Sequence, residues 1–249
     1  MRFGVRVGER TRIIKLHGAR NLRDVGGYST TDGQRQTRWR TLYRSGSTHE
    51  LHKTGQQWLI NAGLRTVIDL RDSQEVGERP SVFAGSSELE YLRIPRYDGP
   101  PPDDLTPDLH RGYRRDLDES GEHLVHLIET LVAPGALPAL IQCAAGKDRT
   151  GVAIGLLLAA VGTRPEDIAE DYALSEQCLG PDSIRTAREW VLRRGYDWAA
   201  WEHVTYCPPQ RMLYTLAYLE EQYGGAEQYL VKHGFARNKL NLLSELLTE

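Results

Sequence analysis

The stretch LPALIQCAAGKDRTGVAIGLLLAAV, residues 137–161, does most to determine the fold of this chain. Its first part, Leu137 to Gln142, is a short apolar run with the length and composition of a buried strand. Thr150 to Val161 is apolar all round, which is typical of a central buried helix. One cysteine and several small residues lie between them. The sequence therefore predicts a strand, a tight loop and a buried helix, in that order.

The loop between this strand and helix has the composition of an anion-binding cradle. Five residues separate Cys143 from Arg149, so the backbone can curl with successive N–H groups pointing inward. The helix N-terminus adds the positive end of its dipole. A Walker A loop is excluded, because Ile141 stands where its first glycine belongs and Asp148 follows the lysine. The residues predicted to bind phosphate are Ala144, Ala145, Gly146, Lys147, Arg149 and Thr150.

The residue types in the cradle predict phosphoryl transfer through a covalent intermediate. The field that binds an anion also favours the thiolate of Cys143, which can attack phosphorus directly. Arg149 offers a planar fork of donors to two phosphoryl oxygens. The Thr150 hydroxyl is expected to hydrogen-bond the sulfur. A proton donor for the leaving oxygen is also needed. Asp148 is the first candidate, and three aspartates of a proline-rich loop remain alternatives: Asp98, Asp103 and Asp104.

Composition restricts the partners and the location of the protein. Thirty-one Lys and Arg residues against thirty-four Asp and Glu residues give a net charge of -3, so no global basic field favours nucleic acid or anionic lipid. The N-terminus has no apolar run suited to a signal peptide, and Val152 to Gly162 is too short to span a bilayer. We expect a cytoplasmic protein without stable membrane insertion, whose oligomeric state stays open.

Apolar runs outside the decisive stretch predict a sheet covered by helices. Thr66 to Leu70 and Tyr91 to Pro95 have the pattern of buried strands. Helical spacing of apolar residues recurs in Glu50 to Ala62 and from Leu124 to Val132. Strands that alternate with helices indicate an α/β fold. Segment 96–107, with four prolines and three aspartates, is expected to be a surface loop near the site.

The C-terminal part is expected to be a helical layer. A helix should begin with Thr163 as its cap and Pro165 in its first turn. No repeat, charge block or Gly/Ser-rich linker divides the chain, which predicts a single domain over residues 1–249. Three cysteines at wide spacing argue against a disulfide framework. Four further helices are predicted at 184–194, 211–223, 226–233 and 236–247.

Several ordered motifs resemble those of bacterial atypical tyrosine phosphatases. The cradle and its GKDRTG ending are similar to the signature loop of this branch. The resemblance extends nearly end to end, through five further blocks: Asn21 to Tyr28 (NLRDVGGY), Tyr43 to Gly46, Val67 to Arg71 with Glu75, Asp171 to Ser175, and Tyr223 to Leu230.

The resemblance implies a tyrosine-phosphatase-like fold with a central, largely parallel sheet flanked by helices. It implies no metal and no cofactor, with Cys143 as nucleophile, Arg149 as phosphate ligand and Asp148 as acid. It also implies phosphoprotein or phosphoinositide substrates, and a lysine at position 147 is associated with lipid head groups. The sequence departs from the family at Gln142, where histidine is usual and where an amide can still hydrogen-bond the loop. A short stretch from Tyr91 to Leu124 replaces the helical lid of a mycobacterial member, which predicts a less covered site.

Charged residues in the shared motifs have two interpretations. Arg23, Asp24 and Arg71 can contact phosphate or position the loop, and an ion-paired structural role is favoured over direct contact. Asp98 belongs to the same supporting group. Asp171 is expected to cap a helix or to pair locally.

Two rival functions remain. One is a small-molecule phosphatase acting on a sugar phosphate or a nucleotide, which the cradle would serve equally well. The other is a phosphate-binding module without turnover, with Gln142 as the sign of lost activity. The leading hypothesis is a phosphomonoester hydrolase acting on phosphotyrosine in proteins.

Overall fold

A computed structural model of the protein describes residues 10–96 and 107–249. Most of the proline-rich segment lies outside these ranges. The alternative acids Asp98, Asp103 and Asp104 therefore lie outside the described residues as well.

The sheet has five strands in the order β1-β2-β5-β3-β4. Strand β1 pairs antiparallel with β2, and every other pair is parallel. Three of the strands agree with predicted ones within one or two residues at each end, and the predicted α/β class with a largely parallel sheet is confirmed. The strands are β1 (Arg23–Asp24), β2 (Leu42–Ser45), β3 (Thr66–Asp69), β4 (Glu90–Arg93) and β5 (Ala139–Gln142).

Ten α-helices lie within the described ranges, and the segments after Thr163 form the predicted helical layer. Two short 3-10 helices, Glu202–Thr205 and Arg237–Lys239, accompany them. The α-helices are α1 (Lys53–Asn61), α2 (Ser73–Glu78), α3 (Leu109–Glu119), α4 (Gly121–Leu131), α5 (Asp148–Ala160), α6 (Pro165–Arg193), α7 (Trp198–Trp201), α8 (Pro209–Tyr223), α9 (Ala226–Lys232) and α10 (Leu240–Leu247).

Strand β5 lies in the middle of the sheet and is buried on both faces. Ala139 and Ile141 point into the core shared with α5, whereas Leu140 points to the opposite side, among residues of α1 and β3. Helix α5 packs against α3, α6, α8 and α9. Apolar burial on every side explains the uniformly apolar sequence of this helix. The junction of β5 and α5 is therefore held at the centre of the molecule.

Some elements differ from the sequence predictions. Strand β4 is an edge strand whose residues are half-buried or exposed, so the prediction of a buried strand there was wrong. The cap of α6 is Arg164 rather than Thr163, and its side chain makes no capping bond. The helix predicted at 184–194 is the second half of α6, beyond a kink at Gly180 (φ 62°). Strands β1 and β2 and helices α2 and α3 were not predicted. Among the described residues, no helix has the length and apolar character needed to cross a membrane.

Candidate active site

The predicted cradle lies where β5 ends and α5 begins. Cys143 follows the last residue of β5, is 2% exposed and is not in a disulfide. Helix α5 begins at Asp148, so its N-terminus adjoins the loop. A parallel strand followed by a helix brings the loop to the carboxyl edge of the sheet, where α/β folds usually bind ligands.

Donors outside the loop hold its carbonyl groups. The N–H of Ser47 donates to Ala144 O at 3.1 Å. Asn21 Nδ2 donates to the carbonyl oxygens of Ala145 and Gly146 at 3.0 and 2.8 Å. In a planar trans peptide, the N–H of the next residue points opposite to the carbonyl. The N–H groups of residues 145–147 are therefore directed away from these outer donors.

Gly146 satisfies a backbone requirement of the loop. Its φ is +66°, a left-handed conformation that side chains disfavour. A Cβ at this position would lie 2.3 Å from the backbone of Ser45 on strand β2. Glycine is therefore needed for the loop to turn against the neighbouring strand.

A buried cluster of ion pairs contacts the cradle loop. Asp171 is wholly buried and pairs with Arg23 at 3.1 Å and with Arg44 at 2.5 Å. Arg44 Nη2 also donates to Gly146 O at 2.8 Å. Burial alone would raise the pKa of Asp171, but the two guanidinium groups lower it to about 2. The expectation that Asp171 pairs locally was wrong, because its partners precede it by more than 120 residues.

Two supporting candidates make structural contacts. Asp24 accepts from the N–H groups of Gly26 and Arg40 at 2.8 and 2.7 Å, and burial raises its pKa. Arg71 pairs with Asp69 at 2.6 Å. Both side chains therefore have the structural role that was favoured for them.

Gln142 connects two neighbouring segments at the base of the loop. Its Oε1 accepts from the N–H of Thr48 at 3.1 Å, and its Nε2 donates to Asp69 Oδ2 at 2.6 Å. The side chain is fully buried. The Gln142 amide therefore both accepts and donates a hydrogen bond. It does so at the position where the resemblance leads us to expect histidine.

Arg149 is held in a fixed orientation by Glu75. Its Nη1 and Nη2 donate to the two carboxylate oxygens of Glu75 at 2.6 and 2.7 Å. Glu75 in turn forms a capping box with Asp72 at the start of α2. Burial would raise the pKa of Glu75, but the pairing with Arg149 lowers it. A bidentate pair of this kind fixes the plane of the guanidinium.

Lys147, Asp148 and Thr150 have different surroundings. The buried Lys147 Nζ donates to Val204 O and lies 3.7 Å from Asp148 Oδ1. Asp148 Oδ1 accepts from the hydroxyl of Tyr113 at 2.5 Å, and its side chain is 37% exposed. Thr150 Oγ1 is buried without a hydrogen-bond partner among the described residues, so the predicted bond to the sulfur is not present.

Sequence reasoning missed several residues that hold the site. Asn21, Arg44 and Glu75 all lie in the motif blocks quoted above, but no pattern in the chain indicated what they bind. Tyr113 lies in α3, a polar helix whose apolar residues Leu109, Tyr113 and Leu117 recur every fourth position. This spacing could have predicted the helix and the burial of Tyr113, but it gives no sign of the hydrogen bond to Asp148.

The profile of the tyrosine phosphatase family matches residues 14–249, which include every element described here. The chain belongs to the tyrosine phosphatase family. This match confirms the expected enzyme class, a phosphatase. It also confirms the family resemblance that the sequence motifs indicated.

Two curated relatives place this phosphatase among bacterial proteins. The triple specificity protein phosphatase PtpB of Mycobacterium tuberculosis is 28% identical over 280 residues, covering 94% of this chain and 99% of the relative. A tyrosine-protein phosphatase of Nostoc commune is 31% identical, covering 74% of this chain and 66% of the relative.

Two solved structures are more distant. The core catalytic domain of the PP-IP phosphatase SIW14 from S. cerevisiae has a TM-score of 0.38 and 14% identity, covering 76% of this chain and 93% of that domain. TpbA of P. aeruginosa has a TM-score of 0.38 and 18% identity, covering 66% of this chain and 86% of that chain.

Proposed function

We propose that this phosphatase hydrolyses phosphomonoesters through a cysteinyl-phosphate on Cys143. The observation that carries the proposal is the loop itself, whose carbonyl oxygens are held from outside while Cys143 lies at its start. Inward N–H groups and a helix N-terminus stabilise both a thiolate and the charge of a phosphoryl group. Arg149, with its plane fixed by Glu75, would hold the equatorial oxygens during transfer.

The reaction takes place in two balanced steps. The Cys143 thiolate attacks phosphorus, an S–P bond forms, and the P–O bond to the leaving group breaks as Asp148 gives that oxygen its proton. A water molecule then attacks phosphorus, and Asp148 takes a proton from it. The S–P bond breaks, releasing inorganic phosphate and regenerating the thiolate.

We favour phosphotyrosine in proteins as the substrate. PtpB is named a triple specificity protein phosphatase and the relative from Nostoc a tyrosine-protein phosphatase. Lys147 Nζ, the group associated with lipid head groups, donates to Val204 O. That contact favours a phosphoprotein over a phosphoinositide. The relatives do not favour the two rivals, a dedicated sugar phosphate or nucleotide phosphatase and a phosphate-binding module. The free thiols suit the predicted cytoplasmic location.

The substrate class is tested with a panel of phosphorylated compounds. We expect hydrolysis of a phosphotyrosine peptide, measured as phosphate release, to be unaffected by EDTA and blocked by vanadate. Phosphoserine peptide, phosphoinositide, sugar phosphate and nucleotide should react more slowly. A sugar phosphate or nucleotide as the preferred compound would restore the small-molecule alternative, and loss of all release in EDTA would contradict the mechanism.

The role of Asp148 is tested by the leaving group. In Asp148→Asn, we expect kcat/KM for phenyl phosphate, which reports the first phosphoryl transfer, to fall by about 10²–10⁴-fold, because the poor leaving group needs a proton. 4-Nitrophenyl phosphate, with a better leaving group, should be affected much less. An equal loss on both esters would mean that the acid is another residue, and the Asp98→Asn variant would then be measured in the same way.

A further inference from the structure

A series of hydrogen bonds leads from the helical layer to the Asp148 carboxylate. Arg211 Nη1 of α8 donates to the hydroxyl of Tyr172 on α6 at 3.1 Å. The hydroxyls of Tyr172 and Tyr113 are 2.9 Å apart, and the Tyr113 hydroxyl of α3 is 2.5 Å from Asp148 Oδ1. Both tyrosines are 1% exposed. Four helices therefore contribute one side chain each to this series.

The two ends of the series fix the direction of each hydrogen bond. A guanidinium only donates and an ionised carboxylate only accepts. The Tyr172 hydroxyl, which accepts from Arg211, therefore donates to Tyr113. Tyr113 in turn donates to Asp148. The hydroxyl dipoles are aligned from a positive to a negative group, an arrangement in which each bond strengthens the next.

We propose that Tyr113 is a positioning residue for the general acid. This inference rests on the proposed function, because it requires Asp148 to be the acid. Tyr113 occupies Oδ1 as an acceptor, so the proton given to the leaving oxygen is carried on Oδ2. The contact also restricts rotation of the Asp148 carboxylate about χ2, a torsion that is otherwise broad. This restriction matters because the side chain is 37% exposed.

The Tyr113 hydroxyl is suited to remain a donor. Its burial, together with the nearby charge of Asp148, raises its pKa well above the usual value for tyrosine. The phenol therefore stays protonated at neutral pH. The other titratable or charged groups that interact with this pair come from several elements: Lys147, Asp116, Tyr172, Cys207 and Arg211.

The test is the Tyr113→Phe variant, assayed on the two aryl phosphates. We expect kcat/KM for phenyl phosphate to fall about 10-fold, equivalent to about 1.4 kcal/mol, through kcat and with KM nearly unchanged. For 4-nitrophenyl phosphate, the loss should be under about 2-fold, because its leaving group needs little protonation.

Three further variants make the result specific. Tyr218→Phe removes the same atom from a half-buried tyrosine of α8 that donates to Asp118, and it should leave both rates unchanged. Tyr172→Phe keeps the contact between Tyr113 and Asp148 and should give a smaller, equally selective loss. It also provides the test if Tyr113→Phe does not fold. In an Asp148→Asn background, Tyr113→Phe should cause no further loss.

An equal loss on both esters would overturn the inference, as would a loss that persists in the Asp148→Asn background. Tyr113 would then only contribute to packing. These outcomes leave the proposed function intact. If Asp148→Asn itself shows no leaving-group selectivity, the acid assignment fails. If turnover survives in a Cys143→Ser variant, the proposed function fails whatever Tyr113 does.

Discussion

Cys143→Ser should reduce hydrolysis of every phosphomonoester by more than about 10⁴-fold, because a neutral serine hydroxyl is a much weaker nucleophile than the thiolate that this loop stabilises. The cradle itself stays in place, since its carbonyl groups are held by Ser47 and Asn21. Phosphate binding should therefore survive. The measurement is phosphate release from a phosphotyrosine peptide together with the rise in melting temperature caused by inorganic phosphate.

Cys178→Ser is the matched control for this variant. Cys178 is a free, half-buried thiol of α6, and burial raises its pKa. Its replacement should leave turnover unchanged. Unchanged turnover in Cys143→Ser would exclude the cysteinyl-phosphate. If inorganic phosphate no longer raises the melting temperature of Cys143→Ser, the Cys143 thiol would also be part of the anion site.

Asp171→Asn should destabilise the protein by about 3–5 kcal/mol, the range typical of breaking a buried ion pair by removing one partner. The change leaves Arg23 and Arg44 as buried cations, each with an exposed side-chain fraction of 0–1%, without a compensating charge. Urea denaturation at neutral pH measures the loss. Activity should fall as well, because Arg44 also holds the Gly146 carbonyl.

The effect should depend on pH in a defined direction. The pKa of Asp171 is lowered from 3.8 to about 2, so its ionised form stabilises the fold above pH 3.8 and this contribution is lost as the pH falls toward 2. The difference in stability between wild type and Asp171→Asn should therefore shrink over that range. Asp167→Asn, which breaks a pair with the exposed Arg164 at the start of the same helix, should change stability little. A pH-independent difference for Asp171→Asn would mean that packing, not charge, is lost.

The central strand, the loop and the buried helix could be predicted from sequence because their signals are local. The apolar composition of residues 139–141 and 150–160 indicates burial, and the spacing from Cys143 to Arg149 is visible without any tertiary information. The chemical character of the site was therefore accessible. The motif blocks then gave the family.

The frame of the site could not be predicted because its contacts join distant residues. Strand β2 includes Arg44, a charge that a strand pattern would not place in a core, and only the pairing with Asp171 makes its burial favourable. Helix α3 has a polar sequence next to a proline-rich segment, and its relevance arises from one hydroxyl, that of Tyr113. Periodicity carries no information about such pairs.

The residues that hold the cradle are widely separated along the chain. This separation has a consequence during synthesis of the protein. Arg44 contacts both Gly146 and Asp171. The cradle loop is therefore joined to the buried ion pairs only when the residues before the loop and those after it have both been synthesised. A nascent chain that ends shortly after Arg149 already contains the nucleophile but lacks the anion that balances two buried cations. Closing these long loops costs chain entropy before any contact is gained. Competence to cleave phosphate esters should thus arise only after Asp171 has been synthesised, and translation products that end before this residue should be inert.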